Sequence, residues 1–468
     1  MTSSPETCAV PPPSRDAHDA PLWDDPDAPP APLPEGLRAV ALAIGDQNGL
    51  LRGKRIDAAH WPSVCRRGMS LDDSFFAMDC DSLLVPNRFS GPETGYPDLA
   101  VRPRGPLMPL PGEPGVALSL GEARLRGAPA DAAEVPIDPR PPLLRAVAAA
   151  QAHGFVPRLA AELEFYLLDP ATLRPAETRD ECYGLARAAA LEPFLGPLRQ
   201  DLTAMGLPVE QSGTEVSAGQ VEVNLGHAPA LVAMDHALIF RAMVKQAALR
   251  HGRVATFMPQ PFTQSAGSGF HLHHSLWRDG RNLFAHEGRL SDLGRWYLGG
   301  LQAALPELAL VGCVTPNGHR RRRPGAFAPR DSSWGVDNRT AALRVMHGDG
   351  PSDPAPVRIE SRHAGADANP YLLAAVELSA GLRGIERRLE PSRPTVGDAA
   401  EAFAAGQGRP ALPATSREAL AVARPSSLLR EVLGDARLDL LCATAEREIE
   451  RMEAEVTEAE RARYLEIL

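Results

Sequence analysis

The segment AELEF at residues 161–165 alternates ionisable and apolar side chains, and three later segments do the same. They are GQVEV at 219–223, GFHLHHS at 269–275 and VRIESR at 357–362. Because successive side chains of a β-strand point to opposite faces, residues two apart share a face. We therefore predict four strands, each apolar on one face and polar on the other.

The predicted polar faces carry carboxylate, imidazole and guanidinium groups, with almost none of the lysine and threonine of an ordinary solvated strand. The residues that share a face are Glu162 with Glu164, Gln220 with Glu222, His271 with His273 and Ser275, and Arg358 with Glu360 and Arg362. Carboxylates on one wall repel one another unless a positive charge lies between them. The pattern favours a divalent metal site over four unrelated surface strands.

Composition limits the class of protein. A chain of 468 residues, 44% of them hydrophobic, is long enough for one large domain or two to three smaller ones. Its net charge of −10 disfavours nucleic acid or an anionic membrane as a partner. The six cysteines form no CxxC pair, which is typical of reduced cytosolic thiols. We see no secretory signal and no apolar span, and predict a cytoplasmic protein.

The chain divides into three predicted parts. Residues 1–34, rich in Pro, Ala, Asp and Ser, are predicted to form a disordered tail. Residues 35–133 are strand-like, with a hairpin turning at Asn48-Gly49 and a helix near 58–67. Residues 134–468 contain the polar-faced strands, a helix ended by Gly154 and a core helix at 230–252. We also predict a loop at 391–414 and a charged amphipathic helix from Ala436 onward.

These segments, taken in order, resemble the glutamine synthetase family from about residue 36 to 468. A lone E-x-E-F motif is weak, but many motifs in one order are specific. The segments that carry the resemblance are DQNGLLRGKRI, DPRPPLLRA, AELEFYLLD, TEVSAGQVEV, ATFMPQPF, GSGFHLHHSL, WGVDNRTAALR, RIESRHAGADANPYLLAA and LPATSREAL.

The resemblance implies an α+β fold with a small N-terminal β-grasp-like domain and a large catalytic domain. In the catalytic domain an antiparallel sheet would curve into a funnel flanked by helices, with the polar faces inward. The family assembles as a homo-oligomer, a hexameric ring or a stacked dodecamer. Each active site then lies between one subunit's large domain and its neighbour's small domain.

The family's reaction transfers a phosphoryl group from ATP to the γ-carboxylate of glutamate, after which an amine attacks the acyl phosphate. The resemblance implies two divalent ions per subunit, Mg²⁺ or Mn²⁺, which neutralise the phosphates. By resemblance, the implied metal ligands are Glu164, Glu215 and Glu222 at one site, and Glu162, His271 and Glu360 at the other.

The resemblance also assigns roles around the metals. Arg339, Arg344 and Arg358 match the arginines that contact phosphate, for which a bidentate guanidinium is suited. Arg321 and Arg362, with Gly267, match positions at the glutamate and the reacting group, so Arg321, Arg339 and Arg362 are the implied catalytic arginines. The nucleotide side takes Glu210, His273 and Ser275, although a structural role for His273 remains an alternative. The other arginines of HRRRR at 319–323 are predicted to lie on the surface.

The chain departs from ammonia-using members of the family at one telling position. Phe327, in PGAFAP, stands where those enzymes carry the Glu that binds ammonium. An aromatic wall suits the alkyl chain or cation of an organic amine better than a small ammonium ion. Asp98, in YPDLAVRPRG, is a candidate for the acid that a neighbouring subunit supplies.

The chain thus resembles the subgroup that makes γ-glutamyl-polyamines and other γ-glutamyl-amines, and we predict an ATP-dependent ligase for a polyamine, ethanolamine or similar amine. Such an enzyme belongs to nitrogen metabolism and polyamine catabolism. The alternatives are a true glutamine synthetase that uses ammonia, and a catalytically silent member that binds nucleotide in a structural or regulatory role.

Overall fold

The computed structural model describes residues 33–129, 134–177, 179–350 and 356–468. The predicted disordered tail at 1–34 lies outside these ranges except for its last two positions. In the ranges that the structure describes, no helix has the length and apolar character needed to cross a membrane.

The N-terminal part of the described chain forms a five-stranded sheet with the strand order β2-β1-β5-β4-β3. Its strands are β1 (Ala39–Gly45), β2 (Leu51–Asp57), β3 (Met69–Asp72), β4 (Asp98–Pro109) and β5 (Val116–Leu125). The predicted hairpin is confirmed, because β1 pairs antiparallel with β2 and Gly49 has the positive φ of 66° that such a turn requires. The predicted helix is also present, as a 3-10 turn at Ala58–His60 followed by α1 (Trp61–Arg67).

A second sheet holds ten strands within the described residues, and its main order is β15-β16-β17-β11-β6-β8-β7. Two further strands, β13 and β14, pair with each other in a separate two-stranded sheet. The strands of this part of the chain are β6 (Val156–Leu168), β7 (Val209–Thr214), β8 (Gln220–Leu225), β9 (Ala228–Pro229), β10 (Val254–Thr256), β11 (Gly269–Arg278), β12 (Arg281–Asn282), β13 (Ala285–His286), β14 (Arg289–Leu290), β15 (Trp334–Val336), β16 (Leu343–Met346) and β17 (Arg358–Gly365). The four polar-faced segments are thus neighbouring strands, β17, β11, β6 and β8, which pair antiparallel as predicted. The pair β15 and β16 differs from that prediction because it is parallel.

Eleven helices lie in this part of the described chain, and several of them pack on the apolar face of the sheet. They are α2 (Pro141–Ala152), α3 (Leu185–Ala204), α4 (Ala230–Arg250), α5 (Asp292–Gly312), α6 (Pro316–His319), α7 (Pro370–Arg387), α8 (Ala399–Ala404), α9 (Ser416–Ala423), α10 (Ser427–Leu433), α11 (Asp435–Ala454) and α12 (Glu458–Tyr464). Gly154 lies two residues beyond α2 with a φ of 72°, consistent with its predicted role. The predicted loop at 391–414 is wrong in part, because Asp398 caps α8 through the amides of Ala400 and Glu401.

The described residues form two hydrophobic cores, a large one on the second sheet and a small one on the N-terminal sheet, and each core takes in residues from the other part of the chain. Leu118 and Leu120 of β5 pack into the large core, together with the apolar residues of β6 and β8. Conversely, Leu440 of α11 packs into the small core beside Val40 and Phe76. The fold class, α+β with a sheet-rich catalytic part and a small N-terminal sheet, is confirmed.

Candidate active site

Strand pairing brings the polar residues of four neighbouring strands together on one face. Their cross-strand neighbours are Glu162 with His271, Glu164 with Glu222, and His273 with Glu360. Because directly paired residues have adjacent Cβ atoms, each strand contributes at least one ionisable group to a continuous polar wall. The alternation that is visible in sequence therefore becomes one contiguous site.

Glu162 lies at the centre of this wall. Its Oε1 is 2.5 Å from Nδ1 of His271, and its Oε2 is 3.4 Å from Nε2 of His273. The Asn224 amide donates to Oε2 at 3.0 Å. Burial opposes ionisation of this carboxyl, but the two imidazoles hold its pKa well below the ordinary value. Glu162 is therefore an anion at neutral pH and an available metal ligand.

Two groups of three side chains have their ligand atoms within 4.8 Å of one another among the described residues. One group is Glu162, Glu222 and His271, and the other is Glu162, His273 and Glu360. Glu162 belongs to both groups, since its carboxylate lies between the two histidines. This arrangement pairs the predicted ligands differently from the sets taken from the family, and it adds His273.

The two remaining predicted ligands, Glu164 and Glu215, lie beside these groups. Glu164 accepts hydrogen bonds at Oε2 from the Gly269 amide at 2.8 Å and from Gln220 Nε2 at 3.3 Å. Glu215 is buried, and burial followed by repulsion from Glu164 raises its pKa to about 7. For Glu222, burial followed by repulsion from Glu162 and the other two carboxylates raises the pKa to about 10.

These raised pKa values show an excess of negative charge in a buried place. Carboxylate oxygens with one or two imidazole nitrogens are a donor set suited to Mg²⁺ or Mn²⁺. A divalent cation removes the repulsion that otherwise keeps Glu222 protonated. The residues present therefore fit a divalent metal centre.

Glu360 is held by arginine on both sides. Arg344 donates from Nη1 to Oε2 at 3.2 Å, and Arg362 donates to Oε1. Burial would raise the pKa of Glu360, but Arg362 and then His273 lower it to about 2. Arg344 is oriented in turn by Asp337, which accepts from Nη2 at 2.6 Å. The guanidinium groups are thus fixed beside the candidate metal ligands.

A cavity of about 690 Å³ opens above this wall. Nine of the predicted site residues line it, namely Glu162, Glu210, Glu222, His273, Ser275, Arg339, Arg344, Arg358 and Arg362. Arg358 donates from Nε to Nδ1 of His273 at 3.2 Å, which orders both side chains. The lining of the cavity therefore combines carboxylates with five arginines, the four predicted ones and Arg158, a combination suited to a metal-bound polyphosphate.

Arg321 and Gly267 lie outside the lining of this cavity. Arg321 is buried and donates to the Ala364 carbonyl at 2.7 Å, while its Nε has no hydrogen-bond partner among the described residues. A Cβ on Gly267 would lie 2.6 Å from Cγ of Arg321, so the close approach requires glycine. The two residues are therefore neighbours, as their shared predicted role demands.

Two further predictions concern the location of Phe327 and of the arginines beside Arg321. Phe327 is 61% exposed on the single chain and does not line the cavity. The prediction that the neighbours of Arg321 lie on the surface is wrong for Arg322, which is buried. Arg322 donates to the carbonyls of Pro413 at 2.7 Å and His363 at 3.4 Å, and these bonds offset part of the cost of burying its charge.

Eleven of the lining residues were not predicted as site residues from the sequence. Three of them, Arg158, Asn224 and Trp277, continue the period-two pattern of β6, β8 and β11 beyond the quoted segments, which would have revealed them. His227 stacks on Trp277 with ring centroids 5.7 Å apart. It follows β8 in a loop, and Tyr183 also lies outside strands, so neither carried a periodic signal.

Residues 136–464 match the family model of the glutamine synthetase catalytic domain. A glutamate–isopropylamine ligase of a Pseudomonas species is 31% identical over 92% of this chain and 96% of its own length. A γ-glutamylethanolamide synthetase of Streptomyces coelicolor is 33% identical over 92% and 93%. A γ-glutamylputrescine synthetase of Escherichia coli is 32% identical over 90% of both chains.

A solved structure of the ADP complex of GmaS superposes with a TM-score of 0.80 at 27% identity, covering 92% of this chain and 97% of that one. The matches confirm the predicted enzyme class, an ATP-dependent carboxylate–amine ligase, and the predicted likeness to the γ-glutamyl-amine subgroup. The chain belongs to the glutamine synthetase family.

Proposed function

We propose that this protein joins the γ-carboxylate of glutamate to an organic amine, with ATP as the phosphoryl donor and γ-glutamyl phosphate as the intermediate. The observation that carries the proposal is that Glu162, Glu222 and His273 of the carboxylate–imidazole cluster line one cavity together with five arginines. This combination supports phosphoryl transfer to a carboxylate, because both reactants are anions that must be brought together.

Glu162, Glu222, His271, His273 and Glu360 would hold two divalent cations, Mg²⁺ or Mn²⁺. Bound there, the cations would supply charge neutralisation for the phosphates of ATP. Glu164 and Glu215 would complete the cluster from beside it, since Glu164 is half-buried, Glu215 is buried, and both carboxylates repel Glu222.

The arginines would divide between the two anionic substrates. Arg344 and Arg358 are ordered by Asp337 and His273 respectively, so each can present a fixed guanidinium to phosphate oxygens. Arg339, exposed at the rim of the cavity, would join them on the transferred group. Glu210 and Ser275 would contact the nucleotide. Deeper in the fold, Arg321, Gly267 and Arg362 would bind and orient the glutamate.

The nature of the amine rests on Phe327 and on the relatives. Three similar proteins are named for isopropylamine, ethanolamide and putrescine, all of which derive from organic amines. Phe327 offers 61% of its surface on the single chain, and a buried methylene against it stabilises binding by about 0.8 kcal/mol. We propose that Phe327 forms part of the amine pocket once a neighbouring subunit closes the site.

The likeness to the glutamine synthetase family also supports a proposal for the oligomeric state and the cellular compartment of this protein. We propose a homo-oligomeric ring of six subunits, single or stacked, with 35–133 as the small domain and 134–468 as the catalytic domain. The enzyme would act in the cytoplasm, in nitrogen metabolism and polyamine catabolism, with no nucleic-acid or membrane partner.

The test is an amine panel with glutamate, ATP and Mg²⁺, including ammonia, ethanolamine, alkylamines and polyamines, read by the mass of the product. We expect kcat/KM for the best amine to exceed that for ammonia. F327E should move this ratio towards ammonia, because a carboxylate holds a small cation that a phenyl ring cannot desolvate without loss. F327L, which keeps the apolar surface, is the matched control.

Two other outcomes would replace the proposed function with one of the two alternatives. If the wild type prefers ammonia to every amine, ordinary glutamine synthesis replaces the proposal. If neither ammonia nor any amine supports ATP turnover, the chain is the silent member of the family.

A further inference from the structure

A buried polar network lies on the reverse face of the catalytic strands, where the sequence pattern predicted only apolar residues. At its centre is Glu377 of α7, which is 0% exposed. His274 Nε2 donates to Oε2 at 2.7 Å, His363 Nε2 donates to Oε1 at 2.8 Å, and the Ser361 hydroxyl donates to Oε1 at 2.8 Å. The Tyr297 hydroxyl lies 2.9 Å from Nδ1 of His274.

Burying a carboxylate is costly unless its oxygens are hydrogen-bonded, and here both oxygens of Glu377 have partners, although Nδ1 of His363 has none among the described residues. Both oxygens of Glu377 accept hydrogen bonds, and every partner is at most 2% exposed. Burial alone would raise the pKa of Glu377, but the bonds from His274 and His363 lower it to about 2, so the group stays ionised. Because burying a charge costs desolvation free energy, we interpret this network as fixing the positions of the hydrogen-bonding partners of Glu377 rather than as adding stability.

The donors to Glu377 come from two adjacent catalytic strands. His274 on β11 directly follows His273, and Ser361 on β17 directly follows Glu360. Just beyond Ser361 the two strands are out of regular register. The pairs Phe270 with Ala364 and Leu272 with Ser361 leave one residue of β11 opposite two of β17. The bulge therefore lies at the height of His271, within the metal-binding wall.

A bulge leaves the lateral spacing of two strands less constrained by their own ladder. Glu377 supplies the missing constraint, because one carboxylate binds β11 through His274 and β17 through Ser361 and His363. α7 itself is anchored by close packing on α5, where a Cβ on Gly300 would meet the Ala380 carbonyl at 2.2 Å.

We propose that Glu377 is a positioning residue that clamps β11 to β17 beside the bulge and so sets the separation of His271 and His273 from Glu360. It touches no substrate and acts through the strands that it binds. The inference rests on the proposed function in that it assumes that the wall holds divalent metal.

The test compares E377Q with wild type in the full-length protein. Glutamine keeps the size of the side chain, but its amide nitrogen cannot accept a hydrogen bond. The donors of either β11 or β17 therefore lose their acceptor, and the link between the two strands is broken. We expect Mn²⁺ binding, measured by electron paramagnetic resonance without substrates, to weaken by about 10-fold or more, and kcat to fall by a similar factor.

D235N is the matched control. Asp235 also lies in a polar network between helices, where it accepts hydrogen bonds from Arg140 at 3.0 Å and the Tyr371 hydroxyl at 2.6 Å. It contacts neither β11 nor β17 through these bonds. D235N should lower Tm yet leave Mn²⁺ affinity and kcat within about 2-fold of wild type. S361A, which deletes one donor, should weaken Mn²⁺ binding by about 3-fold and serves if E377Q does not fold.

Two outcomes overturn the inference. One is wild-type Mn²⁺ affinity in E377Q, or in S361A where E377Q does not fold. The other is a loss of Mn²⁺ affinity in D235N that matches the loss in the Glu377 variant. Failure of the proposed function gives a different result, because wild type would then bind Mn²⁺ and respond to E377Q while ligating no amine.

Discussion

At the scale of single residues, Glu222 carries the clearest electrostatic signature. Its folded-state pKa of about 10 lies far above the ordinary value of 4.5, chiefly through burial and then through repulsion from Glu162. As the pH rises from 4.5 towards 10, the unfolded chain releases this proton while the folded chain retains it. Stability without divalent metal should therefore fall over that window.

Metal binding should reverse this loss, because a ligating carboxylate must give up its proton. We expect Mg²⁺ or Mn²⁺ to raise Tm more at about pH 8.5 than at about pH 6. E222Q should lose most of the metal-induced shift and all activity while remaining folded. The measurement is a thermal melt with and without metal at both pH values. An equal shift at both would argue against Glu222 as a ligand.

Arg344 and Arg358 give the second residue-scale prediction. Lysine keeps the positive charge but loses the planar fork that binds two phosphate oxygens. R344K and R358K should each lower turnover by about 10- to 1000-fold, or about 1.4 to 4 kcal/mol. R320K, in the exposed part of the HRRRR run, should behave as wild type in the same steady-state assay. Unchanged rates in both variants would make these arginines structural.

Most of the predicted site residues lie on strands in which ionisable and apolar side chains alternate, and this alternation made them predictable. Arg158, Asn224 and Trp277 would also have been found by following the alternation to the ends of the strands. Tyr183 and His227 reach the cavity from loops, so no local pattern marks them. The sharing of Glu162 between two ligand groups depends on side-chain reach across strands, which spacing along the chain does not encode.

At the scale of elements, alternation identified the four central strands but not their partners. The order β17-β11-β6-β8 joins segments that are far apart along the chain, and their motifs carry no information about adjacency. The apolar face was also predicted too simply. His274, Ser361 and His363 interrupt it, and only the position of Glu377 on α7 explains how they are buried.

Asn369 connects two elements, and its two roles can be separated. Its Oδ1 caps α7 by accepting from the amides of Tyr371 and Leu372, while its Nδ2 donates to the carbonyls of Asp46 and Gln47 in the N-terminal hairpin. N369A loses both and should destabilise the protein by about 2 to 4 kcal/mol.

N369D keeps the cap, but it turns a carboxylate oxygen, in place of a donor, towards the carbonyls of Asp46 and Gln47 in a buried place. It should therefore lose at least as much stability as N369A. The measurement is chemical denaturation of both variants under the same conditions. A smaller loss in N369D than in N369A would show that the cap, rather than the bonds to the hairpin, carries most of the effect.

At the scale of the whole molecule, the sequence predicted two unlike parts but not how they join. Leu440 lies near the end of the chain and completes the core of the N-terminal sheet. The amphipathic pattern of a helix predicts that one of its faces is buried, but it does not predict which element that face packs against. The large core likewise takes in Leu118 and Leu120 of β5, so the two sheets fold against each other rather than as separate bodies.

The last prediction concerns the assembled ring, where each site is proposed to combine one subunit's catalytic part with its neighbour's small sheet. Asp98 is exposed at the start of β4 and is the candidate from the neighbour. D98A and E222A should each be nearly inactive alone. In co-assembled rings, a D98A chain with an intact metal wall meets an E222A chain with an intact Asp98. About a quarter of the sites should then be whole, and activity should recover to that level.

Co-assembly of E222A with R358A is the control, because both changes fall in the same catalytic wall and no arrangement of chains gives a whole site. Differently tagged chains, purified sequentially so that only mixed rings remain, provide the sample for both pairs. Recovery with D98A but not with R358A requires a site built from two subunits. Equal failure of both pairs would instead place the complete site within one chain, and Phe327 would then have to reach its amine without help from a neighbour.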